Sequence, residues 1–310
     1  MFDTFKNRLE LTGTLTTITA LRISSGRSTE PIGSDLPVIK DALGNPFIPG
    51  SSFKGAMRSR LESFLRGINP NLAANPAIEA ESSIPSKSIR DRDGNILKKG
   101  LDTIKQEIDE EFQDDPDKNR KIDNKLTEEI IKILETEDLT SHLFGSPWIA
   151  SKFQVRDLTI VADTWFGQYQ ERDGVSIDRD TETAADGKLY DFQVVPAETQ
   201  FDFKAIVENA QDWELGLLMI GLHQFETEQI PLGGGRSRGL GVVRLDIKDM
   251  LWFDYPEDKP DLLIDYLKKL VMGDKSAYEN ASDFKDDWVN KLIDKLTVNK
   301  SEETTTEIKG

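Results

Sequence analysis

The chain has 310 residues, 37% of them hydrophobic, enough to bury a sizeable core in one large domain or two small ones. Cysteine is absent, which excludes disulfides and thiolate metal sites, and two isolated histidines, His142 and His223, are too few for a histidine-rich metal centre or a standard catalytic triad. The net charge of −17 opposes nucleic-acid binding by the surface as a whole, but it is unevenly spread. Residues 20–66 carry seven Lys or Arg against four acids, whereas 101–140 carry six against fourteen and 249–310 carry nine against fifteen. No apolar run is long enough to cross a bilayer, and "MFDTFKNRLELTG" lacks a basic segment followed by an apolar one, so the expected location is the cytoplasm, with no membrane partner.

Residues 8–23, "RLELTGTLTTITALRI", alternate apolar and polar positions and predict a strand. A polar loop, 24–35, and a short extended segment with a turn at Gly44-Asn45 follow; Asp41 beside that turn is expected to shape it. "FIPGSSFKGAMRSRLESFL" then predicts a helix over about 51–66, with Ser51 or Ser52 as cap and an apolar stripe of Phe53, Ala56, Met57, Leu61, Phe64 and Leu65. Gly50 and Gly55 have the spacing of a nucleotide P-loop, but Ala56 and Met57 stand where its lysine and hydroxyl belong, which argues against an ATP or GTP site. Lys54 and Arg58 lie near the helix start, where free N–H groups and the dipole favour an anion. Taken alone, the segment reads as a capped amphipathic helix with a solvated basic edge.

Residues 67–141 show no strand pattern, and their acidity suggests an insertion, with a surface helix in "LTEEIIKILETEDL". Strand patterning returns at 151–163; there Arg156 either pairs with Asp157 or is free to touch a ligand. Extended runs either side of Thr181–Lys188 predict a long hairpin standing off the body, bordered by Arg172, Arg179 and Lys188. "ETQFDFKAIVEN" predicts another strand, and "DWELGLLMIGLHQFE" a helix capped by Asp212 and buried along Leu215, Leu218, Met219 and Leu222, with His223 at the core's edge. "PLGGGRSRGLGVVRL" fails as a dinucleotide fingerprint, because Arg238 takes the last glycine's place and the segment leads into a strand, not a helix. Its glycines permit close backbone approach, and Arg236 and Arg238 offer bidentate donors to phosphate. The element order β, α, β, β, α, β is that of a ferredoxin-like α+β fold, also the frame of RNA-recognition modules. From about 251 the chain is helical and acidic.

"IGSDLPVIKDALGNPFIPGSSFKGAMRSRLE" together with "PLGGGRSRGLG" resembles the RAMP superfamily, specifically the backbone subunits of type III CRISPR effector complexes. "HLFGSPWIASKFQVRDLTI" resembles the segment where these proteins re-enter the core, and "VSIDRDTETAADGKLYDFQVVPAETQF" their thumb hairpin. The resemblance spans roughly residues 8–248 and implies a RAMP domain over 1–250. That domain has an inserted segment at about 67–150 and a thumb at about 164–200; an acidic helical tail follows at 251–310. It implies a subunit that binds guide RNA beside other subunits of the complex and cuts base-paired target RNA. The alternative left open is a structural subunit that binds guide without cutting. The implied catalytic residue is Asp35, holding hydrated Mg²⁺ or Mn²⁺ while the RNA 2′-hydroxyl attacks. The implied RNA-binding residues are Arg22, Ser51, Ser52, Lys54, Arg58, Arg156, Gly234, Gly235, Arg236 and Arg238. Many relatives have histidine where this chain has Arg22; arginine stabilises phosphate charge but is a poor proton shuttle.

Overall fold

The structure, a computed structural model, describes residues 4–26, 36–75, 78–113, 115–177, 184–256 and 258–307. In chain order, β1 (Asn7–Thr17) and the short β2 (Phe47–Ile48) precede helix α1 (Gly50–Ile68). A hairpin of β3 (Ile89–Arg90) and β4 (Ile96–Lys98) leads into α2 (Leu101–Glu111), α3 (Lys118–Glu137) and α4 (Leu139–Phe144). Strands β5 (Phe153–Val155), β6 (Leu158–Thr159), β7 (Gln170–Ile177), β8 (Ala184–Val194) and β9 (Gln200–Glu208) precede α5 (Asp212–Glu226). Strand β10 (Val243–Asp254), α6 (Pro260–Val271), β11 (Glu279–Asn280) and α7 (Lys285–Glu307) complete the chain.

The result is a mixed α/β protein whose main sheet is antiparallel throughout, in the order β5–β9–β1–β10–β11. Strand alternation decides which side of this sheet is buried. Leu9, Leu11 and Leu15 of β1 and Phe201, Phe203, Ala205 and Val207 of β9 point to one face, which α1 and α5 cover. Phe53 stacks on Phe225 of α5 at 4.2 Å and leans on Phe203 at 5.1 Å, joining both helices to the sheet. Each such fully buried side chain contributes about 1.5–3 kcal/mol. The opposite face carries ionic contacts: Arg8 bonds Glu10 and Glu208, each at 2.6 Å, and Thr12 bonds Asp249.

The expected insertion is partly autonomous. Ile104, Ile108, Ile130 and Leu134 of α2 and α3 form a small core of their own with Ile84, Leu101 and Ile149. Both flanks of the segment, Leu72–Ala73 and the α4 residues Leu139, Leu143 and Phe144, belong instead to the main core. Strands β7 and β8 pair antiparallel from Gln170↔Val194 to Ile177↔Ala184, as the predicted hairpin requires. The segment 178–183, with Arg179, lies outside the described residues.

The boundary at 250 and the accessory tail beyond it need correction. Strand β10 runs on to Asp254, and Trp252 is paired with Leu9 on the helix-covered side. Trp252 meets Trp288 of α7 edge-on at 5.2 Å, and Trp288 and Leu292 are buried in the main core. Helix α7 lies so close to α5 that a Cβ on Gly216 would stand 2.2 Å from the Trp288 carbonyl oxygen. On the other face, Tyr266 of α6 stacks on Phe253 at 3.8 Å, and the Tyr278 hydroxyl donates to Glu10. The C-terminal segment therefore straddles the β10 edge and grips both sides of the sheet. Tyr266 in "DYLKKLV" and Trp288, Val289, Leu292 and Leu296 in "DDWVNKLIDKL" carry this packing, but the surrounding charge hides them in a composition count. Among the described residues, no helix is long and apolar enough to cross a membrane.

Candidate nucleic-acid interface

Helix α1 begins at Gly50, one residue earlier than its serines suggest, and neither Ser51 nor Ser52 caps it. The cap comes from a distance: Asp157 accepts from the Gly50 N–H at 2.8 Å. Asp157 is thus committed to the helix terminus, and the neighbouring Arg156 side chain is exposed while its N–H donates to the Lys204 carbonyl.

Lys54 and Arg58 also serve the fold. The Lys54 ammonium donates to Ser151 Oγ at 2.5 Å and to the Phe153 carbonyl at 3.1 Å, and burial, with Arg58 nearby, pushes its pKa down to about 8. Arg58 donates to Glu62 at 2.7 Å and to Ser141 Oγ and the Gly145 carbonyl, each at 2.8 Å. The two cations bolt α1 to the α4–β5 segment, so their donors point at protein oxygens rather than at a phosphate. The expected cap from Ser51 or Ser52 is absent, and in this structure these cations meet protein oxygens.

The glycine–arginine segment behaves differently. It docks on the chain just past β1: Gly234 donates to the Arg22 carbonyl and Gly241 to the Ala20 carbonyl, each at 2.9 Å. Gly233 has φ +71°, and a Cβ there would stand 2.1 Å from the Arg22 carbonyl oxygen, so only glycine permits this approach. Arg236–Arg238 form one 3₁₀ turn bounded by Gly235 and Gly239, both left-handed. Both arginines are exposed; Arg236 Nε donates to the Gly233 carbonyl, and Arg238 Nη1 to the Tyr190 hydroxyl at 3.0 Å. The Arg238 contact holds the Tyr190 phenol below its usual pKa. The Arg22 guanidinium lies 4.7 Å from the centre of the Phe192 ring. Three guanidinium groups and two aromatic rings therefore share one surface, with N–H groups left over to meet phosphate oxygens.

Leu36 closes this surface from a third side. It bridges Phe192, and its carbonyl accepts from the Gln193 N–H at 3.1 Å. Asp35, the residue bonded to Leu36, lies outside the described residues. Arg172 is exposed on β7. The roles of Tyr190 and Phe192 escaped the sequence reading, although their two-residue spacing in "KLYDFQVV" places them on one face of a strand. Asp41 shapes its turn as expected, accepting from the Leu43 and Asn45 N–H groups. His142 is buried against Glu214, whereas His223 is exposed beside Glu226 rather than at the core's edge. Among the described residues, no group of three or more His, Asp or Glu side chains converges as a metal site would require.

The chain thus has an antiparallel sheet with two helices on one face and a glycine-bounded arginine turn at the end of its central strand. The chain matches the RAMP superfamily over residues 14–244 and belongs to that superfamily. It is 23% identical over 251 residues to the "CRISPR system Cms endoribonuclease Csm3" of Enterococcus italicus, an alignment covering 78% of this chain and 91% of that protein. Proteins of the same name match over shorter stretches. That of Mycobacterium tuberculosis is 46% identical over 56 residues, and that of Methanocaldococcus jannaschii 43% over 60. These cover 17% and 19% of this chain, and 24% of each relative's length.

Proposed function

We propose that the protein is a guide-RNA-binding backbone subunit of a type III CRISPR effector complex and that it cleaves base-paired target RNA. The observation that carries this reading is the arginine turn seated at the end of β1, beside the pairing that holds Leu36. A ferredoxin-like core is supported by the succession β1, α1, β5, β9, α5, β10 and by the spatial order β5–β9–β1–β10. The β7–β8 hairpin takes the part of the thumb that kinks the guide–target duplex.

In this reading Arg22, Arg236 and Arg238 track guide phosphates without reading bases, and Tyr190 and Phe192 support their side chains or stack on a base. Arg156, just past β5 on the far side of β9 from β1, is a further phosphate contact in this reading. Asp35 is the catalytic carboxylate. Among the described residues no group of three or more His, Asp or Glu side chains stands ready for a metal, so in this reading a divalent ion would be largely hydrated, held by the Asp35 carboxylate and by RNA oxygens. When bound, Mg²⁺ or Mn²⁺ supplies charge at the strained phosphate and a more acidic water. The nucleophile is the RNA's own 2′-hydroxyl, which the kink brings in line with the departing 5′-oxygen. Arg22 stabilises phosphate charge and, staying protonated, does not shuttle the proton.

The test is an assembled complex carrying wild-type or Asp35→Ala subunits and an end-labelled target RNA, with other nuclease sites disabled. The variant should bind guide and target normally and fail to cut, and EDTA should reproduce the loss. Products should end in a 2′,3′-cyclic phosphate or 3′-phosphate. Unchanged cutting by the variant would remove Asp35 from the mechanism.

A further inference from the structure

We propose that helix α6 is a self-association surface, on which a second copy of this chain docks with its own α6 running antiparallel. The helix lies on the sheet face opposite α1 and α5, where Tyr266 stacks on Phe253, and Phe253 pairs with Arg8 at the start of β1. Arg22 follows the other end of that strand, roughly 30 Å away at strand rise. The surface is therefore separate from the arginine turn. It also lies beyond residues 14–244, the span shared with the RAMP superfamily.

The apolar residues of α6 extend well past the side that meets the sheet. Tyr266 marks that side and is the helix's one buried residue. Ile264, Leu267 and Val271 form a stripe centred about 130° round the helix from it, and they are 51%, 50% and 87% exposed. With Pro260 at the helix start they follow the alternating four-three-four spacing of a coiled-coil seam. Half-buried Leu263 and exposed Leu270 flank the seam on one edge, and exposed Asp261 and Lys268 on the other. The chain's own sheet thus takes a side that a coiled coil turns outward, and the seam is left to solvent.

Charge decides what covers it. When two copies of α6 pack antiparallel, the Asp261–Lys268 edge of one meets the same edge of the other in reverse, so each Asp261 faces the second copy's Lys268. Among the described residues, neither side chain is engaged in an ion pair within the chain; the internal pair of this helix is Lys269 with Asp265. On the opposite edge, Leu263 and Leu270 meet their counterparts. A parallel pair would instead set Asp261 and Lys268 against leucines. Opposed helix dipoles add to the antiparallel preference. The net charge of −17 makes two copies repel in general, but residues 259–272 carry three lysines against two aspartates, so an approach through this helix escapes most of that repulsion. The contact is two-fold and closes on itself, pairing two chains rather than building a filament. Twelve-residue helices offer less than the roughly 1,200 Å² of a standard interface, so the pairing is weak and set by concentration.

The experiment is sedimentation equilibrium of the full chain, without RNA, from about 5 to about 500 μM. Wild type should pass from monomer toward dimer within that range. Val271→Glu changes an exposed side chain, so the fold and its thermal unfolding at low concentration should match wild type, while pairing weakens about 10-fold or more. Asp261→Lys and Lys268→Glu should each weaken pairing roughly 3–10-fold by setting like charges together, and the double exchange should restore it. A chain that stays monomeric at about 500 μM leaves the face to a different partner and overturns the proposal. So does self-association that Val271→Glu leaves unchanged, or a loss in the single exchanges that the double exchange fails to rescue.

Discussion

Replacing Arg236 and Arg238 together with alanine tests the proposed RNA-binding surface, because both side chains are exposed and neither supports the core. Among the described residues, the Arg236 side chain donates to the Gly233 carbonyl and Arg238 to the Tyr190 hydroxyl, which leaves most of their N–H groups for phosphate. The 3₁₀ turn itself is held by backbone bonds and by Gly235 and Gly239, so the loop should persist without the guanidinium groups. If each arginine neutralises one phosphate of a single strand, the slope of log Kobs against log salt becomes shallower by about 0.7 per residue, or about 1.4 in all. Raising salt fourfold should then cost the variant roughly seven times less affinity than wild type. The assay is filter binding of single-stranded RNAs of several sequences across a salt series, and the loss should be similar for all of them. A salt slope equal to wild type would refute the placement of RNA on this turn.

Trp288→Ala empties a site against Trp252 and Phe284, and a buried tryptophan truncated to alanine costs about 3–5 kcal/mol. At about 2 °C per kcal/mol the midpoint of thermal unfolding should fall by roughly 6–10 °C, and a drop under about 2 °C would return α7 to the status of an appendage. Lys54 has a folded pKa near 8 against an ordinary 10.5, so the unfolded chain binds more protons between those values and stability rises with pH through that window. Urea titrations from about pH 8 to 9.5 should show this rise in wild type and less of it in Lys54→Met; parallel profiles would contradict the burial of that ammonium.

The strands and helices of the main core were legible because each has one buried face. The alternation of Leu9, Leu11 and Leu15, and the spacing of Phe53, Met57, Leu61 and Leu65, report that face directly. The ends of those elements were less legible. Asp157 caps α1 from 107 positions away, and Gln211 with Glu214, not Asp212, forms the capping box of α5. Lys54 and Arg58 misled for the same reason: a cation near a helix start looks alike whether it meets phosphate or, as here, Ser151, Phe153, Ser141 and Gly145. Arg236 and Arg238 are exposed, with glycines on both sides and no apolar residue within the turn to draw them inward. The His142–Glu214–Lys152 cluster joins three elements, and spacing along the chain carries no trace of it.

Strand β1 lies at the centre of the sheet, between β9 and β10, yet it is made first. A ribosome adding about 5–20 residues per second needs roughly 10–40 s to travel from the end of β1 to the start of β9. During that interval both edges of β1 and its leucine face have no sheet to join, the condition in which nascent strands pair with the wrong neighbour. The charged stretch between residues 101 and 140 emerges in the middle of this wait and keeps the growing chain hydrated. Synthesis speed and chaperone access therefore bear on the yield of correctly folded chain.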